Sequence, residues 1–148
     1  MEFLIILLGL IIDRVTKVWA LNSLSKLDEI VVIKNLFGFS YLENRGAAFG
    51  IFQNKVMILA IITTLVTVGL IYYLVRYRPN SIIMRISLAL IISGAIGNII
   101  DRLIYKYVVD FILVHYKDVY YFPTFNVADM LVVIGTILLS ICILRDEK

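Results

Sequence analysis

The stretch KVMILAIITTLVTVGLIYYLV, residues 55–75, is an apolar run with one charged residue, Lys55, at its start. A helix of about 20 mostly apolar residues spans the hydrocarbon core of a bilayer, which is about 30 Å thick. Three further stretches have a similar length and composition, at residues 1–21, 84–105 and 126–144. The sequence therefore predicts a membrane protein of mainly α class with four transmembrane helices, the first of which is retained rather than cleaved as a signal peptide.

The composition of the whole chain supports this class. Of the 148 residues, 61% are hydrophobic and 17% are charged, whereas soluble domains average about 45–50% and about 25%. So few polar residues cannot cover the surface of a soluble domain of this size. The net charge of +3 is too small for a nucleic-acid partner. Because no repeat or linker divides the sequence, residues 1–148 are predicted to form a single domain.

The distribution of positive charge predicts the direction of the spans. The loop between the second and third spans is flanked by Arg76, Arg78 and Arg85, with no acidic residue among them. Because basic loops stay in the cytoplasm, both termini are predicted to be cytoplasmic. The connections at 22–54 and 106–125 then face outward. Both are rich in Val, Ile, Phe and Tyr, which predicts a small extracytoplasmic β-sheet.

Charged residues within the first span indicate a polar face. On a lone helix, Asp13, Arg14 and Lys17 would each cost about 2.5–3.5 kcal/mol at the bilayer centre. We therefore expect them to be paired, to face the helix bundle or to lie near the interface. Asp13 and Lys17 are four residues apart and so lie on one side of the helix. They are predicted to pair with each other and to connect the first span to the bundle. At a rise of about 1.5 Å per residue, they lie about 18 and 24 Å above the inner end of the first span.

Polar residues of the other spans are predicted at the same depth. With a rise of about 1.5 Å per residue, Asn98 and Arg102 lie about 18 and 24 Å above the inner end of the third span. Asp129 lies only about 6 Å below the outer end of the fourth span. If the segment after the third span returns across the top of the bundle, Asp110 meets Asp129 there.

Two aspartates in a site of low dielectric cannot easily both ionise, so one keeps a proton. The ionised member can activate water for attack on a peptide carbonyl, and the protonated member can stabilise the oxyanion and protonate the leaving amine. The sequence contains no common hydrolase or metalloprotease motif. His115 is the only histidine and is predicted at the surface or the membrane interface, and Cys142 is predicted to be a buried hydrophobe. Carboxylates could hold magnesium, but such a site would need a phosphate substrate. No metal and no cofactor are therefore expected.

Five blocks of the sequence together resemble the lipoprotein signal peptidase family, also called signal peptidase II, a family of integral-membrane aspartic proteases. In chain order these blocks are DRVTK at 13–17, NRGAAFG at 44–50, GAIGNIIDR at 94–102, VVDFI at 108–112 and FNVADM at 125–130. The resemblance covers nearly the whole chain. One departure is Ala95, where the family often has a second glycine, and it affects only local helix packing.

The resemblance implies that Asp110 and Asp129 form a catalytic dyad. It also implies a set of residues that bind substrate or support the site, namely Asp13, Lys17, Asn44, Asn98, Arg102 and Asn126. The implied substrate is a prolipoprotein whose cysteine carries diacylglycerol, and cleavage falls just before that cysteine. The implied location is the bacterial cytoplasmic (inner) membrane, with the active site near the outer face, in contact with membrane lipids. A monomer is expected.

Two other functions agree with parts of the sequence. Carboxylates in membranes also mark proton relays, so a small proton- or cation-coupled transporter or channel subunit is the main alternative. Such a protein is expected to place its essential acid near the midplane, whereas the acids here are predicted near the outer surface. A non-catalytic assembly protein would need neither aspartate. The sequence does not indicate which lipoproteins are preferred, or which aspartate is the acid and which the base.

Overall fold

The computed structural model describes residues 1–27, 29–46, 53–117 and 119–145. The described residues contain four α-helices, α1 (Glu2–Asn22), α2 (Val56–Tyr77), α3 (Ile82–Ile104) and α4 (Val127–Leu144). They also contain four strands, β1 (Ile30–Ile33), β2 (Phe37–Asn44), β3 (Val108–Tyr116) and β4 (Tyr120–Tyr121). Every helix begins and ends within two residues of a predicted span. Residues 47–50 of the NRGAAFG block lie outside the described residues.

The helices differ in how well they suit a membrane. Within the described residues, α2, α3 and α4 are long and apolar enough to cross a bilayer. Helix α1 has 21 residues and is therefore as long as these three, but it carries the charged residues Glu2, Asp13, Arg14 and Lys17. The structure therefore confirms a mostly helical membrane protein with three candidate spans, and the crossing of α1 stays a prediction.

The strands form one antiparallel sheet in the order β1-β2-β3-β4. Strands β1 and β2 come from the first predicted outer connection, and β3 and β4 come from the second, so the prediction of a small sheet is confirmed. A bridge between Ile112 and Phe125 joins β3 to the residues that lead into α4. The middle of β3 is thereby held beside the start of α4. The side of the membrane on which the sheet lies stays a prediction.

Helix α3 is the centre of the bundle and contacts α1, α2 and α4. Small residues allow the close approach of its neighbours. A Cβ atom on Gly94 would collide with the backbone carbonyl oxygen of Ala128, and one on Gly97 would lie 2.5 Å from Asp13 Oδ2. Cys142 packs with Met84 and Leu88 in an apolar cluster between α3 and α4, as predicted. The close packing brings the polar residues of three helices together.

Candidate active site

Asp110 lies on β3, whose first four residues are all buried. It pairs across the sheet with Leu42 of β2 and is only 1% exposed. Its Oδ2 accepts a hydrogen bond from Asn44 Nδ2 at 2.8 Å, and its Oδ1 accepts one from Asn126 Nδ2 at 2.7 Å. Asn44 pairs with Val108, two residues before Asp110, so the strand alternation places Asn44 on the same face as the aspartate.

Asp129 lies in the first turn of α4, where it forms a capping box with Asn126. The side-chain oxygen of Asn126 accepts from the backbone N–H of Asp129 at 2.9 Å, and Asp129 Oδ2 accepts from the backbone N–H of Asn126 at 3.1 Å. Asp129 Oδ1 accepts a further hydrogen bond from Asn98 Nδ2 at 2.7 Å. The carboxyl group is therefore fixed at a helix N-terminus, where the macrodipole favours negative charge.

Asn126 connects the two aspartates. Its side-chain nitrogen donates to Asp110 and its backbone nitrogen donates to Asp129, and the residue is fully buried. The same side-chain nitrogen lies 3.2 Å from the backbone oxygen of Val109 and 3.3 Å from Asn98 Oδ1. Two carboxyl groups that are 19 positions apart in the sequence thus share one asparagine as their common partner.

Lys17 is fully buried and lies at the centre of a second set of contacts. Its Nζ contacts Asp13 Oδ2 at 3.0 Å, Asp101 Oδ2 at 2.9 Å and Asn98 Oδ1 at 2.9 Å. An ammonium group has three N–H donors, so each donor has an acceptor. Asp13 Oδ1 also accepts from the backbone N–H of Ala128 at 3.0 Å. The pair expected from the i,i+4 spacing is present, and it connects α1 to both α3 and α4.

Asp101 was not among the site residues predicted from the sequence, although it is as central to these contacts as Lys17. Asp101 is fully buried, and its Oδ2 also accepts from the backbone N–H of Val109 at 3.1 Å. Its Oδ1 forms an ion pair with Arg14 Nη2 at 2.9 Å. Asp101 follows Asn98 by three residues and therefore shares its side of α3, which is the signal that could have identified it.

We use the name polar junction for the charged groups brought together here. It contains four acidic and three basic residues, which are Asp13, Asp101, Asp110 and Asp129, and Arg14, Lys17 and Arg102. Because unpaired charges are costly in a buried site, the one excess negative charge favours a proton on one carboxyl group. Burial raises the pKa of Asp110 to about 7, and the nearby charge of Asp129 adds to the effect. Hydrogen bonds from Asn44 and Asn126 oppose this rise.

Among the described residues, Arg102 is the one predicted site residue that makes no hydrogen bond or ion pair with another of the predicted site residues. It is half-buried and interacts electrostatically with Asp129, Asp110 and Asp101. The other predicted residues are all linked by the hydrogen bonds and ion pairs above. The structure therefore brings the eight predicted site residues into one region, and their roles in catalysis stay a prediction.

The prediction that His115 lies at the protein surface is wrong, whereas a place at the membrane interface stays a prediction. The residue is only 8% exposed, and its ring stacks on that of Tyr121 at a centroid distance of 5.0 Å. Its Nδ1 lies 2.7 Å from the backbone oxygen of Lys117. Along β3, residues 111, 113 and 115 are buried while 112 and 114 are half-buried. His115 is therefore buried because the alternation of the strand turns it inward.

Known proteins similar to this chain form a consistent group. The family model described as Signal peptidase (SPase) II matches residues 5–145. A lipoprotein signal peptidase from Clostridium novyi (strain NT) is 62% identical over 148 residues, which is 100% of both chains. One from Pseudomonas aeruginosa is 36% identical over 148 residues, covering 97% of this chain and 88% of its relative. A solved structure described as a bacterial membrane enzyme matches with a TM-score of 0.89 at 34% identity, covering 98% of this chain and 88% of that chain.

Proposed function

The chain belongs to the signal peptidase II family of aspartic peptidases, and from this premise we propose that it cleaves the signal peptide from diacylglyceryl-modified prolipoproteins just before the lipidated cysteine. The two relatives from Clostridium novyi and Pseudomonas aeruginosa are lipoprotein signal peptidases by name. The observation that carries the proposal is the pair Asp110 and Asp129, which come from separate elements and are both bound to Asn126.

The proposed chemistry is hydrolysis by an aspartate dyad. One ionised carboxylate removes a proton from water as the water oxygen attacks the scissile carbonyl carbon. The protonated partner stabilises the developing oxyanion, and the pair supplies the proton that the leaving amine needs. The raised pKa of Asp110 supports this proposal, because it keeps one proton in the pair near neutral pH.

The supporting residues have separate proposed roles. Asn44, Asn98 and Asn126 orient the two carboxyl groups through the hydrogen bonds that they donate. A signal sequence must unwind where it is cleaved, so the polar side chains near the dyad also offer partners for its exposed backbone groups. Asp13 and Lys17 hold α1 against the bundle. Arg102 supplies positive charge beside the dyad.

The proposed setting is the bacterial cytoplasmic membrane, with residues 1–148 acting as one domain and as a monomer. We propose that α1 is the fourth span, because its charged residues are paired within the bundle rather than exposed to lipid. Both termini then lie in the cytoplasm, and the sheet and the dyad lie near the outer face. The acyl chains of the substrate can remain among membrane lipids while its peptide reaches the dyad.

The test is cleavage of a diacylglyceryl-modified peptide by the protein purified in detergent. Asp110→Asn and Asp129→Asn should each lower kcat by about 10²–10⁴-fold, because each removes a group that transfers a proton. The control is Thr64→Val on the exposed side of α2, which should cleave at the wild-type rate. Preserved cleavage in either asparagine variant would contradict the dyad. A chelator should have no effect, and inhibition by a chelator would instead indicate a metal.

A further inference from the structure

The hydrogen bonds that run from Lys17 to Asp129 have a fixed direction. An ammonium group can only donate, so the atom of Asn98 that lies 2.9 Å from Lys17 Nζ is the amide oxygen. The amide nitrogen of Asn98 therefore faces Asp129 Oδ1, at 2.7 Å. Asp129 Oδ2 faces the backbone N–H of Asn126, at 3.1 Å. Both oxygens of Asp129 thus accept hydrogen bonds from N–H groups, which can only donate.

Asp110 receives the same number of such hydrogen bonds. The side-chain oxygen of Asn126 is occupied by the backbone N–H of Asp129, so its nitrogen must face Asp110. The side-chain oxygen of Asn44 accepts from the backbone N–H of Gly46 at 3.0 Å, so its nitrogen must also face Asp110. Among the described residues, two donors therefore hold each carboxyl group, and hydrogen bonding alone does not distinguish the pair.

The positions of the two aspartates in the fold do distinguish them. Asp129 lies in the first turn of α4, where the helix dipole favours a negative charge. Asp110 lies on a strand, which has no comparable dipole, and it is 1% exposed. Lys17 and Arg102 act on both carboxyl groups, and the two carboxyl groups disfavour each other's ionisation. Negative charge is therefore favoured on Asp129 more than on Asp110.

The other charged groups around the pair are matched with one another. Helices α1 and α3 contribute the ion pairs Asp13–Lys17, Lys17–Asp101 and Arg14–Asp101, and Glu43 of β2 pairs with Arg45 just after it at 2.9 Å. Within the part of the chain that the structure describes, Arg102 is then the cation left to balance the dyad. One positive charge next to two carboxyl groups gives neutrality when the dyad holds one proton.

We infer that the dyad is asymmetric in the free enzyme, with Asp129 as the ionised base and Asp110 as the proton-carrying acid. This inference rests on the proposed function. As the water oxygen bonds to the carbonyl carbon, one water proton moves to Asp129 and the proton of Asp110 moves to the carbonyl oxygen. When the C–N bond of the resulting diol breaks, the proton on Asp129 moves to the leaving amine and a hydroxyl proton returns to Asp110. Both aspartates are then restored.

The same geometry makes Lys17 a positioning residue. It fixes the orientation of the Asn98 amide, and Asn98 in turn presents its N–H to Asp129. Lys17 thus holds in place a donor that favours the ionised form of Asp129.

The dependence of kcat/KM on pH tests the assignment. Its acid limb reports the group that must be ionised, and its alkaline limb reports the group that must be protonated. Asn44→Ala removes a donor from Asp110, and Asn98→Ala removes one from Asp129. A donor to a carboxylate favours the charged form, so its loss moves the limb of that carboxyl group to higher pH by about one unit.

We expect Asn44→Ala to move only the alkaline limb and Asn98→Ala to move only the acid limb. The opposite result, with the limbs exchanged, would reverse the assignment. If each variant moves both limbs, the proton is shared evenly and the inference is wrong. A merely structural role of either asparagine would lower the rate without moving one limb selectively.

A binding measurement covers the case in which these variants turn over too slowly. The probe is a diacylglyceryl-modified peptide with a secondary alcohol in place of the scissile amide, titrated calorimetrically at pH 6 in detergent. Asp110→Asn should bind within about threefold of wild type, because its N–H replaces the carboxylic O–H as a donor. Asp129→Asn should bind at least about tenfold more weakly, because a charge-assisted hydrogen bond is lost.

The reverse order of affinities, or equal losses, would contradict the assignment. The proposed function has a separate test, because it fails only if the wild type does not cleave the lipidated peptide or if an aspartate variant still does.

Discussion

Helices α2 and α3 are neighbours of nearly equal length, 22 and 23 residues, but they differ in their relation to the rest of the protein. In an apolar 18-residue stretch of each helix, 11% of α2 is buried inside the protein, compared with 56% of α3. Helix α2 buries only Ala60 and Thr67. Helix α3 contacts all three other helices and carries Asp101 and Arg102 into the polar junction.

This difference shows what hydropathy measures in a membrane protein. A uniformly apolar helix such as α2 can face lipid on most sides, because the bilayer requires only an apolar surface. A polar residue on a spanning helix must instead be enclosed by protein, because lipid offers it no partner. The interruptions in an apolar run therefore locate the site better than the run itself.

The largest expected effect follows from removing the central cation. Lys17→Met leaves Asp13 and Asp101 buried without their shared partner, so we expect a loss of about 3–5 kcal/mol in the free energy of unfolding. The matched control is Arg76→Met in the last turn of α2, which is exposed and should change stability by less than about 1 kcal/mol. Thermal unfolding in detergent measures both. Equal effects of the two substitutions would show that the polar junction does not stabilise the bundle.

A smaller effect is expected from the pH dependence of stability. The pKa of Asp110 is about 7 in the folded protein and has an ordinary value of 3.8. Below pH 3.8, Asp110 is protonated in both the folded and the unfolded state, so its burial does not lower the free energy of unfolding. As the pH rises, the cost of keeping Asp110 buried grows, and this cost is complete above pH 7. The stability gained by Asp110→Asn should therefore be larger at pH 8 than at pH 5, by about 2–3 kcal/mol.

Thermal unfolding of Asp110→Asn and wild type between pH 5 and pH 8 measures this difference. Thr64→Val on α2 serves as the control, and its stability relative to wild type should not change with pH. A constant difference between Asp110→Asn and wild type would mean that Asp110 does not take up its proton in this range.

The smallest effect compares a glycine in each of the two helices. A Cβ atom on Gly97 of α3 would lie 2.5 Å from Asp13 Oδ2, whereas one on Gly69 of α2 meets no atom within 4 Å. We expect Gly97→Ala to destabilise the protein by about 1–3 kcal/mol through overpacking. Gly69→Ala should stabilise it by up to about 1 kcal/mol, because alanine favours a helix. Unfolding measurements on the two variants should therefore give opposite signs, and equal signs would refute the contrast in packing.

Much of the fold could be predicted from the sequence. The apolar runs gave the four helices, and the depth argument placed Asp13, Lys17 and Asn98 at one level. Periodicity alone could not show that Asp101 is more deeply buried than Arg102. Both residues lie near the side of α3 that carries Asn98, and only packing determines which one is enclosed. The burial of His115 was also not predicted, because a shift of one residue in the pairing of a strand moves every side chain to the opposite face of the sheet.

The sequence by itself determined the membrane class, the strands in the two connections and the resemblance to signal peptidase II, because these depend on composition, periodicity and local motifs. Only the tertiary structure brought Asn44 of β2, Asp110 of β3 and Asp129 of α4 around Asn126. The pairing register of β3 and the close approach at Gly94 and Gly97 set those distances. Such contacts join residues far apart in the chain, and their geometry depends on how whole elements pack.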